Sequence, residues 1–354
     1  MTRPTTTRFR TGLRRALLCL SALTVPALAT LPAQAADITL KISHYLPDKH
    51  GIHTDFLEPW ARELEAKTNG KVAVEILPGP SAFGNVAKQM DQVKAGVVDM
   101  ANGLAGMPRG RLPRTSIMDM PFLAKTADGA TRTLWDLHKE GLLADEYKGV
   151  KPLALYCHNA GLIHTTDKPV RSPDDMKGLR LRTPSPAISE AVTALGGTPV
   201  GLPPAEVYES LQKKVLDGTI FTWDAVGAFR LNEVVKYHTD ARTYTTCFFF
   251  VMNEKKYQSL PADVRTALDS ISGDALIPKF GPWWDKWDAR GMDDAKAKGH
   301  EIITLTDAER QAFADRLKPM AEAWIAKLAK DDNVPNAAAI YGRAKALVAK
   351  YEQR

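Results

Sequence analysis

"DITLKISHY" (Asp37–Tyr45), "TDFLEPWARELEAKTNG" (Thr54–Gly70) and "KVAVEILPG" (Lys71–Gly79) follow one another near the start of the chain. The first and third are short apolar runs, and Val72, Val74 and Ile76 alternate as in a half-buried strand. The second puts Phe56, Trp60 and Leu64 at i, i+4, i+8, one face of a helix, and closes on Gly70. "NVAKQMDQVKAGVVDM" (Asn85–Met100) repeats the helical spacing, with Val86, Met90, Val93 and Val97 on one face. "DMANGLAG" (Asp99–Gly106) reads as a strand and turn. Strand, helix, strand, helix, strand predicts an α/β fold with a mostly parallel sheet covered on both faces.

A second such series starts near residue 160. "GLIHTTDKP" (Gly161–Pro169) and "GLRLRTP" (Gly178–Pro184) read as strands, and "SPAISEAVTALGG" (Ser185–Gly197) as a helix. "PPAEVYESLQKKVLDG" (Pro203–Gly218) is helical, with Val207, Leu211 and Val215 in line. "GTIFTWD" (Gly218–Asp224) and "TTCFFFVMN" (Thr245–Asn253) are apolar strands. From Ser259 onward the pattern is almost wholly helical, with "GHEIITL" around His300 as an apparent surface strand. Trp283, Trp284 and Trp287 form an aromatic group at helical spacing, most simply core between two lobes. Two α/β units, each with its own core, imply two lobes with a cleft between them. In open α/β sheets, ligands sit beyond the carboxyl ends of the strands.

The first fifteen residues carry five arginines and no acid, and an apolar run with Ala33 and Ala35 before residue 36 follows. This is the form of a secretory signal, cut near Ala35. Pro26 breaks the run, which is short for a permanent span. Leu17 and Leu18 before Cys19 are bulky for a lipoprotein site, so no membrane anchor is expected. Arg14-Arg15 leaves twin-arginine export open beside the general route. Removing the five arginines from 47 basic side chains leaves 42 against 41 acidic ones, so the basicity belongs to the leader. No basic stripe remains for nucleic acid. Cys157 and Cys247 would then sit in an oxidising compartment, as one disulfide or as two buried thiols. There is no C-x-x-C, no H-E-x-x-H and no Cys/His cluster, so neither a metal nor a cofactor is expected.

Arg182 is the residue that demands an explanation. It stands at the carboxyl end of an apolar strand, and its rigid fork of donors fits a carboxylate. A helix begins just after it, at Pro184 or Pro186, and would bring free N–H groups toward the same anion. The alternative is a structural salt bridge. Arg180 lies deeper in the strand, near Asp174 and Asp175, and reads as such a pair. His44 and Tyr45 end the first strand, where they could reach a ligand from the opposite lobe. Asn85 is a ligand candidate or a helix cap, Phe83 a cleft or loop residue, and Met107 a contact or a gap-filler. Asn159, near the expected hinge, and Arg111 complete the candidates.

"MKGLRLRTPSP" (Met176–Pro186), "ALGGTPVGLPPAEVYESLQKKVLDGTIFTWD" (Ala194–Asp224) and "FFFVMNEKKYQSLPADVRTAL" (Phe248–Leu268) resemble the solute-receptor subunit of TRAP (tripartite ATP-independent periplasmic) transporters. The resemblance extends over Ile42–Pro78 and "QVKAGVVDM" (Gln92–Met100), so it covers nearly all of the chain after the leader. It implies a two-lobe periplasmic binding protein of type II-like α/β fold, with a central cleft, hinge strands and a long interlobe helix. Residues 36–160 with about 248–287 would form the first lobe, and 161–247 with about 288–354 the second. It also implies a small organic acid as ligand, delivery to membrane permease subunits, and Arg182 as the carboxylate clamp. Where the better-known acid receptors often carry another arginine, this chain has Leu162 and Ile163. Where they show a polar Glu-Asn-Pro stretch, it has "TIFTWD". That favours a monocarboxylate with an apolar, aromatic or oxo/hydroxy-acid body against Phe221 and Trp223. Two rivals stand beside it: the binding protein of an ATP-driven importer or chemoreceptor, and, more distantly, an exported hydrolase. The hydrolase would need a nucleophile beside a base, and none of the eight histidines lies in such a pattern.

Overall fold

A computed structural model describes residues 36–353; the expected leader and its cut near Ala35 lie outside the described residues. Eleven strands run through these residues: β1 (Ile38–His44), β2 (Val72–Leu77), β3 (Met100–Leu104), β4 (Val150–Cys157), β5 (Gly161–Thr165), β6 (Arg180–Thr183), β7 (Thr198–Gly201), β8 (Gly218–Phe221), β9 (Tyr237–Tyr244), β10 (Cys247–Asn253) and β11 (Glu301–Ile303). They form two sheets, ordered β2-β1-β3-β10-β4 and β11-β9-β5-β8-β6-β7. The helices are α1 (Glu58–Lys67), α2 (Gln89–Lys94), α3 (Ala127–Lys139), α4 (Pro186–Ala194), α5 (Val207–Gln212), α6 (Trp223–Ala228), α7 (Glu254–Ser259), α8 (Ala262–Ser270), α9 (Phe280–Ala297), α10 (Asp307–Lys330) and α11 (Ala337–Glu352).

Each sheet is parallel except for one strand. β10 runs antiparallel to β3 and β4, and β5 antiparallel to β8 and β9. The exceptions have a common cause: β5 and β10 are the strands entered directly from the other sheet. The chain leaves β4 through 158–160 into β5, and returns from β9 through 245–246 into β10. At these neighbouring crossings Cys157 faces Cys247 in register, and the two are disulfide-bonded, with Cα atoms 3.9 Å apart. The pairing that the sequence left open is thus decided by the crossing.

Long helices complete the connection. α9 packs Phe280, Trp284 and Trp287 into the core of the first sheet, and farther along sets Ala295 against Leu162 and Trp223. Gly291 permits this approach, because a Cβ there would lie 1.9 Å from the Trp223 carbonyl oxygen. α10 starts on a Thr306–Glu309 capping box, places Phe313 and Leu317 in the second core, and then Trp324, Ile325 and Leu328 in the first. α11 belongs wholly to the first core through Ala337, Ile340, Ala344 and Leu347. The expected boundary therefore needs correction: the end of 288–354 returns to the first lobe, because the apolar face of α11 is buried there.

Other local expectations fail where the backbone turns early. α2 ends at Lys94 and Gly96 adopts φ +73°, so Val97 emerges 54% exposed instead of continuing the buried face. α5 ends at Gln212 and Lys214 takes φ +56°, which leaves Val215 51% exposed. His300 is also not a plain surface residue, since its Nδ1 is 3.0 Å from Nε2 of the buried His238. No helix of the described residues is long and apolar enough to cross a membrane.

Candidate functional site

Arg182 is the third residue of β6, held between Val200 of β7 and Thr219 of β8, and it is fully buried. Its Nε donates to the Leu202 carbonyl at 3.0 Å and its Nη1 to the Ile220 carbonyl at 3.4 Å. The guanidinium carbon lies 4.0 Å from the centroid of the Phe221 ring. Nη2, equally buried, has no hydrogen-bond partner among the described residues. Among the described residues no Asp or Glu forms an ion pair with Arg182, which sets aside the salt-bridge alternative. Burial lowers its pKa to about 10, still far above neutrality, so the cation persists. An unpaired charge out of water is costly, and an orphaned donor beside a cavity is the form of a site awaiting an acceptor.

The cavity beside this donor is narrow, about 40 Å³. Arg182, Phe221 and Tyr45 line it. So do Tyr244, His158, Phe248, Trp284, His50 and Asp224, which sequence reasoning did not single out as ligand residues. The two tyrosines lie near enough to Arg182 to feel its charge, and burial raises the pKa of both hydroxyls, so they stay protonated donors. Trp284 Nε1 is a second buried donor without a partner. Aromatic rings form much of the wall: Phe248 stacks on Trp284 at 5.6 Å between centroids, and His158 stands edge-on to Trp284 at 5.8 Å. His158 is neutral, its pKa lowered by burial to about 4; Nδ1 donates to the Asn159 carbonyl and Nε2 accepts from the Thr246 N–H.

The remaining candidates lie elsewhere. Trp223 was expected beside Phe221 on a continuing strand. Instead Thr222 caps a helix, its hydroxyl accepting from the Ala225 N–H, and the strand stops at Phe221. Trp223 therefore turns away and packs against His164 and His238. His44 is spent inside the first lobe, where Nε2 meets His53 Nδ1 at 2.8 Å and Nδ1 accepts from the Leu46 N–H. Asn85 is exposed and caps the short helix at Val86–Lys88. Phe83 and Met107 pack in the first core, and Arg111 pairs with Asp91 at 2.6 Å. Arg180 does form a structural pair, with Asp217 instead of Asp174 or Asp175. Asn159 acts as a brace: its amide donates to Asp285 and Asp288 while its oxygen accepts the Ala127 N–H. Asp288 in turn accepts the Asp224 N–H at 2.8 Å, which ties the hinge to the start of α6. No group of three or more His, Cys, Asp or Glu suited to a metal occurs among the described residues.

His50 and Asp224 could have been suspected from their positions. His50 follows β1, and Asp224 follows β8, both beyond the carboxyl ends of strands.

Comparison with known proteins agrees with this architecture. A family model described as bacterial extracellular solute-binding protein, family 7, matches residues 42–328. A C4-dicarboxylate-binding periplasmic protein of Rhodobacter capsulatus is 30% identical over 315 residues, covering 87% of this chain and 92% of its own. A TRAP solute-binding protein from Rhodoferax ferrireducens, crystallised with copurified benzoate, matches with TM-score 0.85 and 28% identity, covering 89% of this chain and 98% of its own. A marine-metagenome TRAP solute-binding protein specific for aromatic acids, bound to 3-hydroxybenzoate, gives TM-score 0.85 and 31% identity over 90% of this chain and 99% of its own.

Proposed function

Because the chain belongs to the bacterial extracellular solute-binding proteins of family 7, the receptors of TRAP transport and not an enzyme family, we propose that it captures a small aromatic monocarboxylate in the cavity beneath Arg182. The observation that carries this reading is the buried guanidinium with Nη2 unpartnered and, among the described residues, no acid in an ion pair with it. A bound carboxylate would take that donor, with Tyr45 and Tyr244 in reach as further donors. One free guanidinium in the wall argues for one carboxylate. Phe221, Phe248 and Trp284 offer ring faces and edges to an aromatic body. The similarity to receptors holding benzoate and 3-hydroxybenzoate supports the same class. Residues 1–35 direct export and are removed, and the loaded receptor delivers its ligand to membrane permease subunits.

The test is calorimetry on the mature protein with benzoate and succinate. Benzoate should bind and succinate should not, and Arg182→Lys should lose most of the affinity because a point ammonium cannot reproduce the planar fork. Tight succinate binding, or a lysine variant that binds like the parent, would sink the assignment.

A further inference from the structure

Asp224 is the part of the wall that this function leaves unexplained, since a receptor for anions gains nothing from a bare carboxylate in its own cavity. The group is firmly placed. Its backbone N–H is held by Asp288 at 2.8 Å, in the first turn of the capped helix α6. Its Oδ2 lies 2.9 Å from His50 Nε2, and the two side chains are 8% and 3% exposed. His50 Nδ1 accepts the Ile52 N–H, so Nε2 carries the proton and donates to Asp224. Among the described residues only Oδ2 is engaged, by His50, and Asp224 also borders a wider cavity lined by Lys49, Arg230 and Lys298. Arg182 lines the narrow cavity with Asp224, yet the two opposite charges form no ion pair, so neither cancels the other. The cavity thus presents one unfilled cationic donor and one unfilled anionic acceptor.

We propose that Asp224 is a specificity residue that selects, among aromatic monocarboxylates, those bearing a hydrogen-bond donor on the ring, a hydroxyl or an amino group. This rests on the aromatic-acid reading above and deepens it. The ligand carboxylate goes to Arg182 and the ring donor to Asp224 Oδ1. A second carboxylate would meet like charge with Arg182 already taken, and a ring without a donor would leave Oδ1 without a partner from the ligand. Sites built around a buried polar group reject analogues that lack its partner more strongly than apolar pockets reject a change of size.

Calorimetry on the mature protein at neutral pH decides this with six probes: benzoate, 3-hydroxybenzoate, 4-hydroxybenzoate, 3-aminobenzoate, 3-methoxybenzoate and isophthalate. At least one hydroxy- or aminobenzoate should bind about tenfold or more tightly than both benzoate and the methoxy compound, the scale of one charge-assisted hydrogen bond. The hydroxy and amino arms distinguish the two donors, and isophthalate should be rejected. Asp224→Asn should shrink the donor preference and relax the rejection. Benzoate binding as well as every donor-bearing probe, or isophthalate binding as well as benzoate, overturns the proposal while leaving the aromatic-acid reading intact. Silence from benzoate and all its derivatives, with another acid bound, overturns both. The parent's ranking is sufficient even if the variant fails to fold.

Discussion

Replacing Arg182 by methionine separates the two reasons a protein can have for burying an arginine. If the side chain braces the fold, its loss is expensive; if it waits for a ligand, the empty protein scarcely misses it. The structure supplies the terms. Burial takes the guanidinium pKa from 12.5 down to about 10, which disfavours the charged form in the fold by about 3 kcal/mol. Against this stand one good hydrogen bond to Leu202, a long one to Ile220 and the contact over Phe221. Together these contribute about 3 kcal/mol, with roughly 1 from the cation–π contact. The two sides nearly cancel, and methionine fills much of the vacated volume. The empty variant should therefore stay within about 1 kcal/mol of the parent, a melting shift of about 2–3 °C for a chain of this size. The ligand response should disappear. At a ligand concentration a hundred times its Kd the parent gains about 2.7 kcal/mol, and the variant should gain none. Scanning calorimetry of both proteins, with and without benzoate, reads both effects. A variant that loses more than about 3 kcal/mol when empty, yet still responds to ligand, would make Arg182 a brace and refute the reasoning.

The Cys157–Cys247 disulfide joins residues 90 apart in sequence and encloses β5 to β9, so Cys157→Ala with Cys247→Ala should cost about 4–5 kcal/mol on the chain-entropy account. Urea melts of the mature double variant check this, and an unchanged midpoint would contradict it. Asp119 is buried, and burial raises its pKa to about 7, partly offset by the Ser185 hydroxyl. Its folded pKa lies above its unfolded value near 3.8, so its contribution is favourable below that value and lost as pH rises toward 7. Asp119→Asn should accordingly stabilise the protein relative to the parent by an amount that grows by about 1.4 kcal/mol per pH unit between pH 4 and 7 and then levels off. Melts across that range that show a constant difference would rule it out.

Much of this molecule is written in local chemistry. The i, i+4 spacing of Phe56, Trp60 and Leu64, the alternation in Val72–Ile76 and the capping residues act within one or two turns of chain, so the strand–helix order could be read residue by residue. Arg182 was conspicuous for the same reason, because a guanidinium at the end of an apolar strand is anomalous wherever the rest of the chain goes. The error at Trp223 was local too: alternation placed it with Phe221, and the Thr222 cap turned the chain out of the strand between them.

The company Arg182 keeps could not be read in that way. His50, His158, Asp224, Tyr244 and Trp284 lie on separate elements and meet because the chain passes repeatedly between its two sheets and α9 packs against α6. The disulfide, the return of α11 to the first core and the His50–Asp224 contact depend on those same crossings. Periodicity reports which face of a segment avoids water; it carries no information about which distant segment covers that face. The polarity of the cavity, one cation and one anion held apart, therefore belongs to the assembled fold.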